Sequence, residues 1–300
     1  MKKYSGLAGL PRGDAPEGIT PGCLVLEGGA WRGLYTQGAI DALLEAGINF
    51  QTVIGVSAGA MSSIGYMSGQ IGLCPRFNLT YRHHPMYVGI GSLLIDHGIT
   101  GFTFCFRKIK GEFALNKKRF YDPRRRHVVV VTNCLTGEAE YPERGKDRIF
   151  RNIRASATVP YVSLPVMING TPYLDGGIAE KIPYSWALEN GYDKIMVIRT
   201  REASYRREKK KSGPGLISRI LYRKYPGILR DFAETEVRYN ATVDRIDSDA
   251  AAGKTFSLAP SQPVTIKRFE GDLEKLGELY HLGYEDAKRA IPAIREYLAK

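Results

Sequence analysis

Histidine and cysteine are scarce in this 300-residue chain, with five of the first and four of the second, and no long apolar run is present. Cys23, Cys74, Cys105 and Cys134 lie far apart with no Cys-x-x-Cys pair, so no disulfide framework is called for and a reducing compartment is the simpler expectation. Three of the four sit among apolar or small residues and read as core. Nothing approaches the roughly 18 consecutive apolar residues of a spanning helix. The start, Met1 to Gly6, carries charge but lacks the apolar stretch of a secretory signal. These absences point to a cytoplasmic protein, soluble or peripheral at the inner membrane face. There is no internal repeat, no metal-ligand spacing and no reading motif for nucleic acid, so neither a metal nor a cofactor nor a nucleic-acid partner is expected.

What is present is apolar content and positive charge. Hydrophobic residues make up 43% of the chain, enough for one large α/β domain or two small ones. The net charge is +12, and most of the excess lies between Arg199 and Arg230, where eleven Lys and Arg face two acids, Glu202 and Glu208. A second basic cluster, Lys117 to Arg119 with Arg124 to Arg126, precedes a candidate strand at 127–132. Such patches attract phosphate-bearing partners, among them anionic membranes.

Short apolar runs at 23–26, 52–54, 127–132, 171–174, 194–199 and 255–258 read as strands, and the patterns at 33–46 and 58–66 as helices. Strands alternating with helices predict a mainly parallel sheet covered on both faces, a three-layer α/β/α sandwich. The short crossover from the first strand to the second makes the two parallel, so the loops after Leu26 and Ile54 emerge on the same side. The stretch from Leu273 to Leu298 reads as a helix pair or a bent helix, because Pro292 interrupts it.

Those two loops carry the most informative residues. Gly55-Val56-Ser57-Ala58-Gly59 is a Gly-x-Ser-x-Gly elbow, in which Gly55 and Gly59 leave room for a sharp strand-to-helix turn that lifts the Ser57 hydroxyl clear of the sheet. The loop Glu27-Gly28-Gly29-Ala30-Trp31-Arg32-Gly33 exposes backbone N–H groups suited to an oxyanion hole or a phosphate cradle. It fails as a dinucleotide fingerprint at Ala30, and no Lys-Ser or Lys-Thr follows as a P-loop requires. A nucleophilic serine needs a base, and two residues compete for that role. Asp175, in Asp175-Gly176-Gly177, ends a short strand where nothing crowds its carboxylate, although an Asp-Gly pair also makes ordinary hairpin turns. His281 is the one histidine placed late enough for an α/β-hydrolase triad, but it lies on an amphipathic helical stretch. His83 and His84, beside Pro85, read as loop residues.

The Gly28 loop, the Ser57 elbow and the Asp175 turn, in that order and spacing, resemble the patatin-like phospholipases. The block from Arg154 to Pro160 is similar to the stretch before that family's aspartate, and Leu279 to Ala287 is similar to its bacterial members. The resemblance implies a serine lipid acyl hydrolase acting on phospholipids or other acyl lipids. It implies a Ser57–Asp175 dyad without histidine, an oxyanion hole from Gly28, Gly29 and Ala30, and a loop-ordering role for Arg32, with Gly33, Gly176 and Gly177 in support. Glu27 stands where many members have Asp, Ala30 where many have Gly, and Lys181 where Asn is frequent. On this reading residues 1–20 are an extension, 21–200 the catalytic core, 201–232 a basic loop and cap, and 233–300 a strand and helices completing the same domain. Rival readings are a Ser57–Asp175–His281 esterase and a catalytically silent lipid-binding protein. In the basic segment, apolar residues from Leu216 to Phe232 recur at helical spacing around Pro226. That helix is either a solvated packing element or a cap resting on an anionic lipid surface.

Overall fold

The computed structural model describes residues 2–145, 148–208 and 215–300. Among the described residues there are ten strands: β1 (Gly13–Asp14), β2 (Thr20–Leu26), β3 (Phe50–Val56), β4 (Gln70–Ile71), β5 (Arg126–Asn133), β6 (Ala139–Glu140), β7 (Val166–Ile168), β8 (Thr171–Asp175), β9 (Ile195–Ile198) and β10 (Thr255–Leu258). The helices are α1 (Gly33–Glu45), α2 (Ala58–Ser68), α3 (Leu73–Tyr81), α4 (Ile90–Asp96), α5 (Phe102–Lys108), α6 (Lys117–Phe120), α7 (Ile149–Ser156), α8 (Tyr184–Glu189), α9 (Leu216–Leu221), α10 (Pro226–Ala251) and α11 (Leu273–Ala299).

Eight strands form one sheet in the order β10-β9-β2-β3-β5-β8-β7, with β6 also on β5. From β10 to β5 the pairs are parallel, as the alternation of strands and helices requires. At β5 the sheet turns antiparallel, because β8 and β6 pair with it in the opposite sense and β7 and β8 form a hairpin. The period-2 geometry of the central strands sorts their side chains into two cores. Leu24, Leu26, Val53, Val129, Met196 and Ile198 point one way, toward α1, α2 and α11. Cys23, Val25, Ile54, Val56, Val128, Val130 and Val197 point the other, toward α8 and α10. The architecture is therefore the expected three-layer sandwich.

On the first face α1 and α11 approach so closely that a Cβ at Gly38 would lie 2.0 Å from the Tyr280 carbonyl oxygen, and one at Gly283 2.0 Å from that of Tyr35. Helix α11 is continuous through Pro292 rather than a pair. Its proline lies on the exposed side, as does Lys288, so water can satisfy the carbonyl that loses its intrahelical donor. Pro226, expected to interrupt the basic helix, instead starts α10 at its first turn, where a missing N–H is harmless. The four cysteines are free. Among the described residues no helix is long and apolar enough to cross a membrane.

Candidate active site

β2 and β3 are adjacent and parallel, so the loops that follow them meet at the carboxyl edge of the sheet. The elbow is closed by backbone contact. A Cβ on Gly55 would lie 2.7 Å from the Gly59 carbonyl carbon, and one on Gly59 2.4 Å from the Leu26 oxygen. Ser57 sits between them with φ 55° and ψ −116°, at the N-cap of α2. A non-glycine residue held there costs on the order of 1–3 kcal/mol, which the surrounding contacts must offset. One such contact comes from α7, where Ser156 Oγ accepts the Ser57 N–H at 2.9 Å.

Asp175 reaches the same point from the antiparallel part of the sheet. Ser57 Oγ donates to Asp175 Oδ2 at 2.6 Å, and the other carboxylate oxygen accepts the Gly177 N–H at 2.8 Å. Thr132 Oγ1 donates to the Asp175 carbonyl, and the Asp175 N–H goes to the Thr158 carbonyl. The carboxylate is thus fixed at both ends, and both it and Ser57 are buried. Burial pushes the Asp175 carboxyl up from its ordinary value, while the hydrogen bonds from Ser57 and Gly177 and the charge of Lys181 pull it down. The Asp-Gly-Gly segment is a strand end leading into a 3-10 turn, not a hairpin tip.

The glycine-rich loop is fastened by three contacts. Glu27 is fully buried, which raises its carboxyl pKa, and it accepts the Thr200 N–H at 2.6 Å. Thr200 Oγ1 in turn lies 3.5 Å from the Gly28 carbonyl oxygen. The Gly28 N–H is occupied, donating to the Lys181 carbonyl at 3.1 Å. Of the three amides expected to form an oxyanion hole, then, only those of Gly29 and Ala30 are without an acceptor among the described residues. Ala30 has φ 50°, in the left-handed region, which explains why glycine suits that position. Arg32 does not order the loop by hydrogen bonding. Its side chain makes no hydrogen bond or ion pair among the described residues and lines the cavity in front of Ser57.

That cavity has a volume of about 370 Å³, and Ser57, Asp175, Gly28, Gly29 and Ala30 all open onto it. A second, smaller space of about 100 Å³ also reaches Ser57 and is mostly apolar, with Leu34, Met61, Tyr87, Val88 and Ile99 in its wall. His281 lines neither. Its ring packs beside Tyr4 and Tyr280 on α11. Ser156, Thr158, Thr132 and Thr200 hold the site through residues distant in sequence; the first two fall in the block from Arg154 to Pro160 that the resemblance marks, with no role readable there, and the other two carry no local signal. Among the described residues no group of three or more His, Cys, Asp or Glu could hold a metal ion.

The parallel sheet delivers the serine elbow and the glycine-rich loop to one edge, and comparison with known families finds similarity in that same region. Residues 24–79 match the family described as Patatin-like phospholipase, and residues 225–299 match a domain of unknown function, DUF6363. Over residues 24–79, then, the chain resembles that family, and the matched stretch contains both glycine motifs but ends before Asp175. Among relatives, it is 29% identical over 185 residues to the uncharacterized protein YjjU of Escherichia coli K12, covering 59% of this chain and 51% of that protein. It is 26% identical over 184 residues to the probable lipid hydrolase 463L of invertebrate iridescent virus 6, covering 55% and 63%. It is 26% identical over 178 residues to the lysophospholipase NTE1 of Yarrowia lipolytica, covering 58% of this chain and 12% of that one. Each match spans less than two thirds of the relative's own length. A solved structure, VipD from Legionella pneumophila, aligns with 97% of this chain and 69% of its own at 13% identity and a TM-score of 0.47.

Proposed function

We propose that the protein is a serine hydrolase of acyl lipids, cleaving carboxylic esters of phospholipids or related lipids through Ser57 and Asp175. The observation that carries this reading is the 2.6 Å hydrogen bond from Ser57 Oγ to a buried aspartate, at the floor of a cavity that also has apolar walls nearby. Ser57 Oγ attacks the acyl carbonyl carbon as its proton passes to Asp175 Oδ2. The negative charge that develops on the carbonyl oxygen is stabilised by the free N–H groups of Gly29 and Ala30 and by the N-terminal end of α2. Collapse expels the alcohol, which takes the proton from Asp175, and leaves an acyl-serine. Water then attacks the acyl group, giving its proton to Asp175, and the fatty acid leaves as Ser57 recovers its hydrogen.

The relatives named lipid hydrolase and lysophospholipase support a lipid rather than a soluble ester as substrate. So does helix α9, where Leu216, Ile217, Ile220 and Leu221 are each more than half exposed while Ser218 lines the cavity. Exposed apolar side chains next to a residue that lines the cavity, in a basic segment, support a helix resting on an anionic membrane. Lys209, Lys210 and Lys211 of the same basic segment lie outside the described residues. The test is a mass-spectrometric profile of lipids consumed by the wild type but not by Ser57→Ala, with labelling of Ser57 by a fluorophosphonate. A protein that is folded, unlabelled and consumes no lipid is a binding protein, and the proposal fails.

A further inference from the structure

Four cations line the cavity in front of Ser57. Arg32, Lys181, Arg207 and Arg268 line it, from four separate segments of the chain, while the carboxylates in its wall are Asp175 and Glu236. Among the described residues none of the four cations forms an ion pair. The Nε atoms of Arg32 and Arg207 are buried and have no hydrogen-bond partner among the described residues. Lys181 Nζ donates to the Gly177 carbonyl, which leaves further donors unused. Residues 209–214, which follow Arg207 closely, include no acid that could neutralise the group.

Unpaired buried donors and mutually repelling charges are costly, and the side chains record that cost. Burial, and next the charge of Arg201, push the Arg32 guanidinium down to about 10, with Arg207 and Arg268 adding to the effect and Glu27 opposing it. Burial and Arg207 push the Lys181 ammonium down to about 7, against the pull of Asp175. A bound anion would relieve both. Ser57 borders both this cationic space and the smaller, mostly apolar one, with Arg268 lining both, so an ester carbonyl at Ser57 has a charged wall and an apolar wall within reach.

We propose that Arg32, Lys181, Arg207 and Arg268 form a subsite for a phosphomonoester carried by the substrate, so that Ser57 acts preferentially on acyl lipids with a dianionic headgroup, of the phosphatidate or lysophosphatidate kind. The inference rests on the hydrolase reading above for its substrate, but the anion site itself does not. An excess of cations over carboxylates in this wall suits a group that carries close to two negative charges at neutral pH. A zwitterionic headgroup brings its own cation into the same space, and a neutral glyceride leaves the guanidinium donors unpaired. Selectivity then comes from repulsion and lost hydrogen bonds as much as from attraction.

The experiment has a binding arm and a turnover arm. Ser57→Ala protein is titrated calorimetrically with inorganic phosphate, with glycerol 3-phosphate and with glycerol. The two phosphates are expected to bind and glycerol not, and adding Arg207→Gln with Arg268→Gln weakens phosphate binding by about tenfold or more, the scale of losing charge-assisted hydrogen bonds. In the turnover arm, wild type and the Arg207→Gln/Arg268→Gln protein are compared on monomeric dihexanoyl phosphatidate and dihexanoyl phosphatidylcholine. The wild type favours the first, and the ratio of kcat/KM between the two falls about tenfold in the variant. Melting temperatures confirm that each variant is folded. Absence of phosphate binding by the folded protein overturns the subsite, even where Ser57 is labelled and esters are cleaved. Phosphate binding without preference for the phosphatidate overturns the assignment to a lipid headgroup and leaves free phosphate as the ligand. Phosphate binding by a protein whose Ser57 neither labels nor cleaves any ester overturns the hydrolase reading alone.

Discussion

Asp175→Asn isolates the role of the aspartate because the two side chains have the same shape. In the wild type one carboxylate oxygen accepts the Gly177 N–H and the other accepts the Ser57 hydroxyl. An amide has a single oxygen. If that oxygen keeps the Gly177 N–H, an NH2 group faces Ser57 and can accept no proton. Loss of a positioned general base lowers the rate by about 10²–10⁴, or roughly 3–5 kcal/mol of barrier, and the loss should appear in kcat with KM little changed. The pH profile gives an independent check. Asp175 must be ionised to accept a proton, and burial raises its pKa, so wild-type kcat/KM should fall as pH drops through a value above the ordinary aspartate range. In Asp175→Asn the residual activity should lose that acid limb. Steady-state hydrolysis of a short-chain ester between pH 4 and 9 measures both effects, with His281→Ala as comparison. His281 packs on α11 away from both cavities, and its replacement should change kcat by less than about twofold. An Asp175→Asn protein within tenfold of wild type, or a His281→Ala protein that is inactive, refutes the dyad.

The remaining predictions concern the frame and the surface. Gly59→Ala puts a methyl against the Leu26 backbone and should cost at least about 2 kcal/mol and most of the activity, read from urea unfolding and ester turnover. Gly38→Ala drives α1 from α11 at Tyr280 and should destabilise by about 3 kcal/mol without touching the site, so fluorophosphonate labelling of Ser57 should persist at low temperature. Asp41 is buried against the hydroxyl of Tyr280, and burial raises its carboxyl pKa to about 7. Its stabilisation is complete below the unfolded value and is lost as pH rises through 7. Asp41→Asn should therefore remove a decline in stability of roughly 3 kcal/mol between pH 5 and pH 8, seen by comparing urea midpoints at those two values. Replacing Leu216, Ile217, Ile220 and Leu221 together by Ser should weaken sedimentation with phosphatidylglycerol vesicles by about tenfold, and unchanged sedimentation would separate α9 from membrane contact.

The parallel half of the sheet could be read from the chain because its strands are continuous apolar runs separated by helical patterns. The antiparallel half could not. The hairpin of β7 and β8 contains Pro172 and only short apolar runs, and nothing local states that β8 pairs with β5 in the reverse sense. The extent of α10 was also hidden, since its buried positions, such as Tyr239, Val243 and Ile246, are diluted by charged residues along a long exposed face. At the site, Ser57 and the Gly28 loop were visible because a tight elbow and a close backbone approach demand glycine. Ser156 was not, because its hydrogen bond spans 99 positions of chain.

The sequence by itself determined that β2 and β3 are parallel and adjacent and that a serine elbow and a glycine-rich loop meet at their carboxyl ends. Those consequences follow from local sterics and from the handedness of short crossovers. It left Asp175 open between a turn and a base, and left all three loop amides equal. Only the tertiary structure brought the Asp175 carboxylate to the Ser57 hydroxyl, bound the Gly28 amide to the Lys181 carbonyl and gathered Arg32, Lys181, Arg207 and Arg268 around one cavity. Hydrogen bonds and uncompensated charge depend on distance through space, and spacing along the chain carries almost none of that information.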